Sequence, residues 1–183
     1  MQRFIEKTIT FLHLYFAEYK YLFLFLCVFV ASYIILMHWL NVKFLNRLRR
    51  PLAILCLLIE LAAIGYFTIL FREAGTSYDY EFELFWSYKK WIFEKNVGLG
   101  MEIINNILLF FPLGFILTDV YKKCPLWLVT AHAFIISGCV EISQFVFKIG
   151  LFEFDDLLNN ALGAVAGWIV FQILRLGECF RED

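Results

Sequence analysis

The sequence predicts an all-α, polytopic membrane helix bundle of about five transmembrane helices, and three observations carry that prediction. Of 183 residues, 62% are hydrophobic and 20% aromatic, well above the roughly 45 to 50% apolar content of soluble domains. The apolar residues gather into runs of about 20, the length that crosses a bilayer core as helix. Charged residues collect between these runs, and of the 17 Asp and Glu only Glu60 and Glu141 fall well inside them.

In chain order, residues 4–19 (FIEKTITFLHLYFAEY) are apolar but carry Glu6, Lys7, His13 and Glu18, the pattern of an amphipathic helix lying at the interface. A first span is expected at 21–40 and a second at 52–71, ending in YFTILFR at Arg72. Residues 72–101 form the only long loop, rich in aromatics and acids. Within it WSYKKWIF reads as an interfacial helix, with Trp86, Trp91 and Phe93 at headgroup level. The loop is either an aromatic belt or a lid. Spans at 103–121, 126–147 and 155–175 follow, the last polar only in its first turns. Residues 1–50 therefore form an interfacial segment plus first span, and 51–183 a four-helix membrane core with its outer loop.

Basic residues in short loops set orientation. Lys43, Arg47, Arg49 and Arg50 join spans 1 and 2, Lys122 and Lys123 join spans 3 and 4, and Arg175 and Arg181 follow span 5. These loops belong in the cytoplasm, which puts the N-terminus outside, although Arg3, Lys7 and Lys20 pull mildly the other way. No cleavable signal is expected, because the first apolar run lacks a small-residue cleavage site. Five scattered cysteines without a CxxC pair, and three isolated histidines, suggest neither a disulfide framework nor a zinc site. With a net charge of −1 nothing points to a nucleic-acid partner.

Embedded polar side chains need partners or a wet cavity, because a charge at mid-bilayer costs at least roughly 2.5 to 3.5 kcal/mol. On span 4, Ser137, Glu141, Gln144 and Lys148 recur at intervals of four, three and four, which makes one helical stripe. On span 5, Asp156, Asn160, Gly163 and Gly167 share a face, the glycines forming a close-packing surface. Span 3 carries Glu102, Asn105 and Asn106 in its outer turns, and Pro112 with Gly114 is expected to interrupt and kink it. Alternation of spans brings Arg72, Asn106, Glu141, Gln144, Asp155, Asp156 and Asn160 to one rim whichever way the chain inserts. Positive-inside bias makes that rim extracytoplasmic. Asp155 has three readings: it binds an ion, holds Arg72, or caps the last helix. Glu60 lies mid-span with no evident partner in the sequence.

Four motifs taken in order, YFTILFR, NILLFFPLGFIL, EISQ and FEFDDLLNNALGAVAG, resemble the VanZ-like family of membrane proteins over about residues 60–175. Arg72, Asn106, Pro112, Gly114, Glu141, Gln144, Asp155, Asp156, Asn160, Gly163 and Gly167 fit its pattern. Glu153 departs from it, standing where an aspartate is common, as does Gly150 or Leu151, where an arginine often precedes the acidic cluster. The resemblance implies a bacterial plasma-membrane protein tied to low-level resistance to teicoplanin-type lipoglycopeptides.

Two functions of different class are open to such a rim. In the first, it binds a membrane lipid or lipid-linked envelope precursor, and access of the lipoglycopeptide to its target falls. Arg72 would take an anionic head, with Asn106, Gln144 and Asn160 as hydrogen-bond partners. In the second, the chain is an enzyme acting on a lipid phosphate or diphosphate, with Glu141, Asp155 and Asp156 holding Mg²⁺, an ion that prefers oxygen ligands. A purely structural salt-bridge network ranks below both, since buried ion pairs are weak evidence of net stability. A proton-coupled transporter has only Glu60 to continue the path toward the far side.

Overall fold

The computed structural model describes residues 28–29, 31–33, 46–70, 72, 75, 78–121 and 124–179. The expected interfacial segment 4–19 and most of the first expected span lie outside these residues. Among the described residues, four helices are long and apolar enough to cross a membrane: Arg47–Leu70, Val97–Val120, Leu126–Phe147 and Phe154–Arg175. The chain is a helical membrane bundle, and these four agree closely with the spans expected at 52–71, 103–121, 126–147 and 155–175.

Helix α1 (Asn46–Gly65) passes into a π-helical turn, Tyr66–Leu70. Strand β1 is Asp79–Glu81 and helix α2 is Trp86–Phe93, the WSYKKWIF segment. Helix α3 (Val97–Val120) follows, its first turn capped by Asn96, whose side chain accepts from Leu99 N. Helix α4 (Leu126–Phe147), strand β2 (Leu151–Glu153) and helix α5 (Phe154–Cys179) complete the order. Asp155 and Asp156 lie in the first turn of α5, where negative charge opposes the positive end of the helix dipole.

Helices α3 and α5 pack most closely, and glycine makes the approach geometrically accessible. A Cβ at Gly163 would overlap the Ile107 carbonyl, one at Gly167 the Phe111 carbonyl, and one at Gly114 the Ala164 carbonyl. Association in lipid lacks a strong hydrophobic drive, so such backbone approach supplies the packing energy that holds helices together. Around this seam Leu109, Phe110, Leu113, Val129, Ala133 and Ala164 form the core.

Pro112 and Gly114, where a kink is expected, lie inside one continuous helix. Helix α3 runs unbroken from Val97 to Val120 through both residues. Gly114 serves the seam with α5 instead, its missing side chain making room for Ala164.

A feature not foreseen in the sequence ties the long loop to the bundle. β1 pairs with β2 as a parallel ladder, with Asp79 opposite Leu151, Tyr80 opposite Phe152 and Glu81 opposite Glu153. The loop before α2 is thus stitched to the short link between α4 and α5. That link begins at Lys148, which takes a left-handed conformation at φ 56° and sets its ammonium 4.2 Å from the centre of the Tyr78 ring.

At the end away from this ladder, Arg49 of α1 meets Asp119 of α3 through Nη2 to Oδ1 at 2.7 Å, and Tyr33 donates to the same carboxylate at 2.7 Å. Tyr33 also packs edge-on against Phe115. Tyr33 is therefore fastened to the core at that end.

Candidate functional site

Four chain segments end at the rim that carries the ladder: the end of α1, the start of α3, the end of α4 and the start of α5. The stripe on α4 faces inward as its spacing requires, with Ser137, Glu141 and Gln144 all buried. Glu141 Oε2 accepts the Glu153 amide at 3.0 Å, so the carboxylate holds β2 against the helix end. Gln144 Nε2 donates at 3.1 Å to the carbonyl of Thr68, one of the carbonyls that a helix end leaves without an intrahelical partner. One turn deeper, Asn160 Nδ2 donates to Ser137 Oγ at 2.8 Å.

Arg72 lies two residues past the end of the first described span and is exposed. Its guanidinium crosses the face of Gly150. A Cβ there would stand 2.5 Å from Arg72 Nη1 and 3.3 Å from Gln144 Oε1, so the absent side chain gives the guanidinium its seat. From that position Arg72 acts electrostatically on Glu102, Glu141 and Asp156. Asn106 hydrogen-bonds the Asp156 carboxylate. Of the seven residues expected at this rim, Arg72, Asn106, Glu141, Gln144 and Asp156 meet around the end of α4. Asn160 sits below them beside Ser137.

Asp155 has turned away from that group. Its Oδ1 accepts from Phe85 N at 2.6 Å, and its Oδ2 accepts from Ser87 N at 2.9 Å and Ser87 Oγ at 2.7 Å. Helix α2 needs this, because its N-cap position is Phe85, which offers no side-chain acceptor and sits at φ 61°. Asp155 therefore caps a helix, but α2 rather than its own, and its charge meets the positive end of the α2 dipole. Beside it Tyr88 OH donates to Asn159 Oδ1. Burial, then the charges of Asp155 and Asp156, push the Tyr88 phenol up, which keeps its proton on the donor side of that bond. The long loop is held at three levels: the ladder, the Asp155 cap and the Tyr88 contact.

Glu153, at the end of β2, completes the acidic group. Burial first, then Asp156, Glu102, Glu141 and Asp155, push its carboxyl up to about 8, so at neutral pH it mostly carries a proton. Among the described residues no group of three His, Cys, Asp or Glu side chains is placed to hold a metal ion. The Glu141, Asp155 and Asp156 set offered by the sequence for Mg²⁺ is thus not gathered, and its physical reason is the commitment of both Asp155 oxygens to α2.

Sequence reasoning passed over Ser87, Tyr88, Asn159 and Gly150 as working residues. Only Gly150 left a trace, as a glycine where the VanZ-like pattern prefers another residue. The bare N-terminus of α2, with Phe at the cap, was the other available signal: an uncapped helix beside an acidic pair asks for one acid to serve it.

A bundle with an inward polar stripe, a glycine seam and a basic residue seated among acids at one rim defines a multi-pass helical membrane protein with a polar site at the end of its core. The family model described as VanZ/LLP1 matches residues 23–175, and the chain belongs to that family. It is 32% identical over 70 residues to Protein VanZ of Enterococcus faecium, an alignment that covers 38% of this chain and 44% of that protein. The chain thus matches less than half the length of this curated relative. No solved structure matches it.

Proposed function

We propose that this chain is a bacterial plasma-membrane protein that binds the headgroup of a lipid-linked or other envelope ligand at its polar rim. The rim faces the extracytoplasmic side, and binding lowers the access of teicoplanin-type lipoglycopeptides to their target. The observation that carries this reading is the seat of Arg72. A guanidinium lies over Gly150 at the outer end of a span, next to an unpaired oxygen of the buried Gln144. A residue that only snorkelled to water would not need a glycine cut out beneath it. Membership of the VanZ/LLP1 family supports the link to resistance.

The test is expression of the parent, Arg72→Ala and Glu141→Ala chains at equal membrane abundance in a susceptible bacterium. The parent should raise the inhibitory concentration of teicoplanin, and both variants should lose that protection. Full protection by either variant would overturn the reading.

A further inference from the structure

The rim offers far more acceptors than donors. Glu102, Glu141 and Asp156 all lie within electrostatic reach of one guanidinium. Lys148, the next cation along, is engaged with the Tyr78 ring. The buried amides add to the excess. Gln144, 2% exposed, spends its Nε2 on the Thr68 carbonyl and leaves Oε1 without a partner. Its orientation is fixed by chemistry, since a carbonyl can only accept and the amide nitrogen must face it. Asn160, 3% exposed, likewise gives Nδ2 to Ser137 and leaves Oδ1 unpaired. Asn159 alone has its nitrogen unpaired, and it faces α2 through Tyr88.

A buried acceptor left unpaired costs roughly 1 to 3 kcal/mol, so a ligand that brings donors recovers that cost. A ligand of net negative charge would instead add to the negative charge of an acidic group that shares one guanidinium, a like-charge juxtaposition that disfavours it. Arg72 on its own still suits an anionic oxygen, which it can meet with two parallel N–H groups. Resting on the ligand-binding reading above, we propose that the rim takes a zwitterionic headgroup. Its phosphate lies on Arg72, and an adjacent primary ammonium lies on Glu102, Asp156 and the free oxygen of Gln144. A primary ammonium supplies three N–H donors and a positive charge together. A trimethylammonium supplies the charge without the donors, a glycerol headgroup the donors without the charge, and a bare phosphate monoester neither.

The purified full chain in detergent, with EDTA present, is mixed with phosphatidylethanolamine, phosphatidylcholine, phosphatidylglycerol and phosphatidic acid of identical acyl chains, and bound lipid is counted by native mass spectrometry. Phosphatidylethanolamine should be retained about tenfold over each of the others, a difference of about 1.4 kcal/mol. The double variant Glu102→Gln with Asp156→Asn should bring it down to the phosphatidylcholine level. Retention of phosphatidic acid or phosphatidylglycerol equal to phosphatidylethanolamine in the parent chain overturns the proposal, and that readout needs no variant to fold. So does equal retention of phosphatidylcholine, or binding of phosphatidic acid that appears when Mg²⁺ replaces EDTA and then matches phosphatidylethanolamine. Soluble glycerophosphoethanolamine added as competitor separates the two sources of this chemistry: displacement of the lipid supports a free compound as an occupant, and no displacement supports a membrane lipid. The resistance reading fails separately. If phosphatidylethanolamine is preferred yet Arg72→Ala protects cells fully, the ligand class stands and the link to resistance falls.

Discussion

The two ends of the bundle each place an arginine beside acids, and they use it differently. At one end Arg49 pairs with Asp119, whose side chain is 5% exposed, and Tyr33 closes the remaining oxygen. Both oxygens of Asp119 have a protein partner there. At the other end Arg72 acts electrostatically on Glu102, Glu141 and Asp156, while Gln144 and Asn160 keep unpaired oxygens. A satisfied pair joins helices. An unsatisfied group in low dielectric is expensive, and persists where something outside the chain completes it. The contrast separates an end whose charged pair is closed from an end that keeps unpaired acceptors.

The glycine seam between α3 and α5 lies between the two ends and joins the helices that carry them, so breaking it should abolish the comparison altogether. Gly163→Leu drives a side chain into the Ile107 carbonyl, and Gly114→Leu does the same at Ala164. Backbone on the facing helix cannot rotate aside as a side chain can, so the helices must separate. We expect loss of monodisperse folded protein in fluorescence-detected size-exclusion chromatography for either variant, the largest effect of those considered.

Next in size is the pair of changes that sets one end against the other. Asp119→Ala removes hydrogen bonds from Arg49 and Tyr33, and should lower stability by about 2 to 3 kcal/mol, the range for bonds to a charged group. Arg72→Ala should cost less than about 1 kcal/mol, as exposed ion pairs do, while removing protection against teicoplanin. Thermal unfolding in detergent beside a resistance assay checks both. A reversed order, with Arg72 the larger contributor to stability, would make the Arg72 rim a structural lock.

A smaller, local effect belongs to Asp155. Its replacement by Ala strips α2 of its side-chain acceptor at the N-terminus, where loss of a cap typically costs about 1 kcal/mol. Amide exchange over residues 85–93 should accelerate while that of α3 and α5 stays unchanged. The ladder between β1 and β2 would still hold the loop, so the bundle should melt at nearly its original temperature.

Much of this was legible in the chain itself, for reasons that mark where legibility stops. Spans follow from runs of apolar residues, and convergence of Arg72, Asn106, Glu141 and Asp156 at one rim follows from alternation alone. The stripe of Ser137, Glu141 and Gln144 follows from helical spacing, and all three are buried as that spacing required. The GxxxG face at Gly163 and Gly167 was readable, but its partner on α3 and the role of Gly114 were not, because facing helices share no sequence signal of register. Asp155 was misplaced within its rim for a similar reason. Its partners Phe85 and Ser87 lie about 70 residues upstream, in a loop whose return path is set by a three-residue ladder too short to show as alternation. Glu60 remains as the sequence left it: 0% exposed, with both oxygens unpaired.

The smallest expected effect tests whether the acidic group at the Arg72 end behaves as one electrostatic unit. The Glu153 carboxyl is raised from its ordinary 4.5 to about 8 by burial and by the four acids around it. Between those two values the folded chain holds a proton there that the unfolded chain has released. Stability contributed by this group is therefore fully present below about pH 4.5 and is lost as pH rises through about 8. Glu153→Gln keeps the neutral shape and removes the titration. Parent and variant should melt together at pH 5, and the variant should be the more stable of the two at pH 8.5. Other acids at the rim titrate in both proteins, so the difference between them reports Glu153 together with its coupling to those acids. No divergence above pH 8 would mean that this carboxyl ionises freely. The crowding of negative charge that sets this rim apart from the Arg49 end would then be screened rather than felt.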